Sequence, residues 1–245
     1  MDRVVETRKE PRISVNKLGE YLTASPARRR RIVHDAKFPT TFMVARYTSA
    51  ENAIADWICT GGTDDVLLAQ AMATLNNAEP GSRFARSRRD SCLEALSHAS
   101  QLRTWLALPS TDRVTYVRTN SAIPLEFDDV KVSVRPEVLL YTGQGAINQT
   151  AKDQEGGRRL GGVKLYFSKQ HPLTQQGADY ITTLLWQSLV IRSAHDLVLL
   201  NHEQIKLVDV FAGEVFTLPK AHKQRLKEVA AACEEISQRW DAIKR

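Results

Sequence analysis

Near residue 125 the spacing of apolar residues changes, and a chain with such a change is neither all helix nor all sheet. Upstream, Ala53, Ile54, Trp57 and Ile58 recur at the three-to-four spacing that puts them on one helical face. Downstream, Val130, Val132 and Val134 alternate with polar neighbours, the period of a half-buried strand. The pattern predicts a mixed α/β fold, with residues 1–12 a disordered N-terminus and 13–120 a helical region. Residues 121–245 are expected to form a central mixed sheet flanked by helices, continuous with the helical region or separate from it.

Start and stop signals divide the first half. Ser14 and Ser25-Pro26 are helix starts, the proline standing at the first helical position. Ser49 opens the helix that Gly61-Gly62 stops, and Thr63 opens the next, whose first turn carries Asp64 and Asp65. A long helix is expected from Pro80-Gly81 to Leu106. In the second half, residues 130–141 read as one strand and GGVKLYFSK as its antiparallel partner, joined by a long, mobile hairpin loop over 143–157. An amphipathic helix follows over LTQQGADYITTLLWQSLVI. One to three strands come next, with a turn at Ala212-Gly213, and then a terminal helix from Pro219.

The net charge of +6 and a pI near 9.3 favour an acidic partner. The basic residues are clustered at Arg28, Arg29, Arg30 and Arg31, at Arg83, Arg86, Arg88 and Arg89, and at Lys220, Lys223, Arg225 and Lys227. Such clusters make salt-dependent phosphate contacts or form solvated helix faces. Nucleic acid, DNA first, is the expected partner, with protein partners in a larger complex as a further expectation. A membrane is not expected, because no window approaches a spanning apolar run. The N-terminus lacks the apolar core of a secretory signal. Cys59, Cys92 and Cys233 are odd in number and far apart, reading as reduced core residues of a cytoplasmic protein. The six histidines show no metal-binding spacing, and Trp105, Trp186 and Trp240 are expected in the core.

Three features carry chemistry: Arg135-Pro136-Glu137, with a carboxylate at the head of an apolar run; Lys164, between Val163 and Leu165; and Gln176 with Tyr180, four apart on one helical face. In order and spacing they resemble the PD-(D/E)XK superfamily of restriction-endonuclease-like nucleases, closest to its lambda-exonuclease and RecB-like branch. That family places an acid on one strand, an acid-x-Lys triplet on the next, and often Gln-x-x-x-Tyr on the helix after it. The resemblance covers about residues 125 to 218 with a preceding helix. It departs from the family at Gly162, where the second acid belongs.

The resemblance implies a restriction-endonuclease-like sheet and Mg²⁺-dependent cleavage of phosphodiesters, of the kind used in bacterial DNA metabolism or anti-phage defence. Glu137 and the carbonyl of Val163 would hold the metal, and Lys164 would orient the attacking water. Gln176 and Tyr180 would contact the nucleic acid or brace the site. Glu51, on an early helix, is the first candidate to replace the missing acid; Asp153, Glu155 and Asp179 are the others. An inactive nucleic-acid-binding subunit on the same fold is the alternative.

Overall fold

The computed structural model describes residues 7–39, 46–99, 101–143 and 157–245. The elements run β1 (Arg12–Ser14), α1 (Val15–Thr23), α2 (Pro26–Lys37), α3 (Thr48–Cys59), α4 (Asp65–Asn77), α5 (Arg83–Ala99) and α6 (Leu102–Leu106). There follow β2 (Val114–Arg118), β3 (Ile123–Phe127), β4 (Val130–Val134), β5 (Val138–Thr142), β6 (Arg159–Tyr166), α7 (Gln175–Asp196), β7 (Leu199–Asp209), β8 (Glu214–Thr217) and α8 (His222–Trp240). The fold is mixed α/β, as the change of period predicts. No helix of the described residues is long and apolar enough to cross a membrane.

The main sheet has the order β2-β5-β6-β7-β8. β2, β5 and β6 form an antiparallel run, α7 crosses over, and β7 lies parallel to β6, with Lys164 opposite Leu207. A second, three-stranded sheet has the order β1-β4-β3. Residues 130–141 are therefore two strands in two sheets, broken at Arg135-Pro136-Glu137, where proline offers no amide to a ladder. The sequence boundary at residue 120 cuts the main sheet, since β2 precedes it. Arg12, in the expected disordered segment, pairs with Lys131 in β4. The expected hairpin of β5 and β6 is present, and most of its loop, 144–156, lies outside the described residues.

Both faces of the main sheet are covered, so its central strands read as continuous apolar runs. Leu139 and Tyr141 of β5 face one core with Leu18 of α1, Ile181 and Leu185 of α7, and Trp240 of α8. Val138 and Leu140 face the other, with Ile54, Trp57 and Ile58 of α3 and Leu96 of α5. Cys92 and Cys233 are buried and Cys59 partly so, all three free. Trp240 is in the core, but Trp105, on the five-residue α6, is 61% exposed, against expectation.

Caps at Ser14 and Ser25 form as the sequence implies, each side chain accepting an amide in the first turn. For α4 the cap is Asp64, not Thr63, because the aspartate carboxylate takes the amide of Val66. At the crossing of α1 and α7, a Cβ on Gly19 would lie 2.5 Å from Ile181 Cγ1 and 3.1 Å from the Gly177 carbonyl. Glycine is needed there for close approach. Gly19→Ala is expected to lower unfolding stability in urea by about 1–3 kcal/mol through overpacking, although alanine is the better helix former. An unchanged or raised midpoint would show that the two helices have room to separate.

Candidate functional site

The tripeptide that links the two sheets also builds the charged centre of the molecule. The Glu137 amide donates to the Val163 carbonyl at 2.9 Å, which sets Glu137 across from β6. Its Oε1 accepts from Lys164 Nζ at 2.8 Å, and its Oε2 accepts from the Leu165 amide at 2.6 Å. Glu137 is 3% exposed and Lys164 6% exposed, so this is a buried ion pair. Neither Glu137 as a solvated edge residue nor Lys164 as an ordinary polar face describes the structure.

Glu51 lies in the first turn of α3, where the helix dipole favours a carboxylate. Arg135 joins it to the pair: Nη2 donates to Glu51 Oε1 and stands 3.8 Å from Glu137 Oε1. Arg118, at the end of β2, pins the same helix through the Asn52 carbonyl at 3.0 Å and the Asp56 carboxylate. Residues 51, 135, 137 and 164 thus meet at one end of the sheet. Two carboxylates face two cations. Burial raises the pKa of Glu51, and the charge of Glu137 raises it further, while Arg135, Lys164 and Arg118 hold it down in part.

This donor set does not fit Mg²⁺. The ion needs near-octahedral oxygen ligands at about 2.0–2.1 Å. Here Arg135 already bridges the two carboxylates, Lys164 and the Leu165 amide occupy Glu137, and the Val163 carbonyl accepts the Glu137 amide. Nor is Gly162 a simple vacancy for an acid. A Cβ there would lie 3.1 Å from Leu189 Cδ1, facing the α7 core. Among the described residues, no group of three His, Cys, Asp or Glu could hold a metal.

The other expected site residues lie elsewhere. Gln176 Nε2 donates to the Tyr180 hydroxyl at 3.4 Å, and that hydroxyl donates to Glu228 of α8 at 2.6 Å. Arg225 of α8 stacks over the Tyr180 ring and pairs with Glu228 and with Asp179. The Gln-x-x-x-Tyr pair therefore fastens α7 to α8. Asp179 belongs to this group and does not replace the missing acid. Asp153 and Glu155 fall outside the described residues.

The four consecutive arginines of α2 do not share a face, because successive helical residues are about 100° apart. Arg28 pairs with Glu20 and Arg31 with Asp35. Arg29 donates to the carbonyls of Leu22 and Ala24 over the Tyr21 ring, and Arg30 is exposed with no partner among the described residues. Arg135 and Arg118 are the charged residues that the sequence reading did not assign. For Arg135 the signal was its place two residues before Glu137; Arg118 gave none.

No protein-family model matches the chain, and no curated protein does.

Three outcomes follow from the centre. Lys164→Ala, which leaves Glu137 buried without its main cation, should cost about 3–5 kcal/mol. The double variant Glu137→Gln with Lys164→Met should cost less than the sum of the two single changes in denaturant titrations; additive costs would mean that the pair is not coupled. The raised pKa of Glu51 means that the native state holds this proton more tightly than the unfolded chain does. Its contribution to stability is present below the unfolded value and is lost as pH rises through the folded one. The stability of Glu51→Gln relative to wild type should therefore climb as pH rises above the ordinary carboxylate value of 4.5. A flat or falling difference would reverse the sign of the shift.

Proposed function

We propose that this chain is a nucleic-acid-binding protein built on a nuclease-like core whose cleavage centre is closed by its own cations. The observation that carries this reading is Arg135 standing between Glu51 and Glu137, with Lys164 on the same Glu137 oxygen that Arg135 approaches. The antiparallel β2-β5-β6 run, the α7 crossover and the parallel β7 support the nuclease-like part, as do the acid immediately before β5 and the lysine on the neighbouring β6. Glycine at 162, facing Leu189, supports the loss of cleavage. Binding is supported by the net charge of +6 and by exposed basic side chains. Arg83 and Arg86 on α5, and Lys220, Lys223 and Lys227 around the start of α8, are all exposed.

The specific alternative is an active nuclease, favoured by the convergence of Glu51, Glu137 and Lys164 from three distant stretches of chain. One assay decides between them: labelled single- and double-stranded DNA and RNA, titrated with salt and incubated with Mg²⁺, Mn²⁺ or EDTA. The expected result is binding that weakens steeply with salt, by about 10³-fold or more between about 50 and about 200 mM if six or more phosphates are contacted, with no cleavage. Binding should persist in the Glu137→Gln, Lys164→Met double variant. Metal-dependent cleavage abolished in that variant would establish the nuclease instead. Absence of binding to every substrate would remove the nucleic-acid reading.

A further inference from the structure

A groove of about 490 Å³ opens between α2 and α8, within the range of small-ligand sites at about 300–1,000 Å³. Its apolar lining comes from Tyr21, Val33, Ile236 and Ile243. Its cationic lining comes from Arg29, Arg30, Arg31 and Arg239. No residue of this groove belongs to the Glu51–Arg135–Glu137–Lys164 centre.

The charges are not equally spent. Arg31 is paired with Asp35 and Arg239 with Glu235, each at 3.0 Å. His34 also faces Asp35, at 3.3 Å. Arg29 is held in place by two carbonyls and by the Tyr21 ring, whose centroid is 5.3 Å away, but no carboxylate among the described residues forms an ion pair with it. Arg30 is exposed and has no partner among the described residues. Two guanidinium charges therefore remain for a ligand, one of them already oriented.

An apolar floor beside uncompensated guanidinium groups selects a ligand with a flat apolar part and an anionic part. Guanidinium forks match phosphate oxygens, and guanidinium planes and tyrosine rings are surfaces on which bases stack. The volume suits a compact ligand rather than a peptide helix lying along the groove. We propose that this groove binds a nucleotide, its base on the floor of Tyr21, Val33, Ile236 and Ile243 and its phosphate on Arg29 and Arg30. The nucleotide is either free or the end of a single strand. The strand-end form rests on the nucleic-acid reading above, and the free form does not.

The test is calorimetric titration of the full chain with adenosine monophosphate, adenosine, inorganic phosphate and a short single-stranded oligonucleotide. Arg30→Ala removes the free guanidinium, and Ala27→Trp, at an exposed lining position, fills the groove without touching the core; circular dichroism checks that both fold. Adenosine monophosphate should bind at least about tenfold more tightly than adenosine or phosphate alone, should weaken about tenfold in Arg30→Ala, and should lose binding in Ala27→Trp. Oligonucleotide binding lowered by the same variants identifies a strand end as the source. Mononucleotide binding without oligonucleotide binding keeps the groove and identifies the free nucleotide as its ligand. Oligonucleotide binding untouched by either variant, with no mononucleotide binding, overturns the groove and leaves that reading standing. No binding of any of the four overturns the groove, and the nucleic-acid reading is then decided by the duplex and RNA substrates above.

Discussion

Glu137 joins β5 to β6 with its side chain at the point where the backbone stops doing so. Val138 opposes Val163, the Glu137 amide makes the last bond to β6, and at Pro136 the chain turns away into the second sheet. The amide of Leu165 is left buried at this fork, and a buried amide needs an acceptor. Glu137 Oε2 supplies it while Oε1 takes the Lys164 ammonium. A neutral glutamine could accept the amide but could not balance the lysine charge. The junction of the two sheets, the last rungs of the β5–β6 ladder and the seating of α3 through Arg135 and Glu51 all depend on this one carboxylate.

Much of the architecture was legible because its signals are local. The change of period, the serine caps and the apolar runs of β5 and β6 each come from residues a few positions apart. The short strands β2 and β3 gave no comparable signal: VTYVR and IPLEF are five residues each, and Pro124 interrupts the second. The break at 135–137 was visible as a proline, yet alternation on both sides of it suggested one strand. Only tertiary structure sends Val134 and Val138 to different sheets. Trp105 shows the opposite failure. Its size predicts burial, but a single turn of helix is too short to turn a large ring inward while also burying Leu102 and Leu106.

The site was partly legible for the same reason. Glu137 and Lys164 were named from a motif and Glu51 as a candidate for its missing acid, and the fold brings the three together. What the motif could not convey is which cation each carboxylate meets. Arg135 is adjacent in sequence to the motif but acquires its role only because α3 lies against the sheet end. Gln176 and Tyr180 keep the motif spacing, and helical geometry does put them on one face, but that face meets α8. Spacing fixes a shared face; it does not fix the neighbour.

The same distinction governs charge. Four consecutive arginines suggest a single patch in the sequence, whereas a helix distributes them around its circumference. Glu20 and Asp35 consume two of them, and the folded chain retains Arg29 and Arg30 for an outside anion. At the Glu137 centre the balance closes entirely within the protein, because each carboxylate finds a cation supplied by the chain. A cleavage site must instead keep carboxylates close together and leave their repulsion to be relieved by a ligand. Here Arg135 and Lys164 relieve part of it from within the chain, which lowers the electrostatic demand that would draw a metal ion in. A motif-bearing centre and a solvent-facing arginine groove can therefore exchange the parts their sequences suggest, the first serving the fold and the second offering the unspent charge.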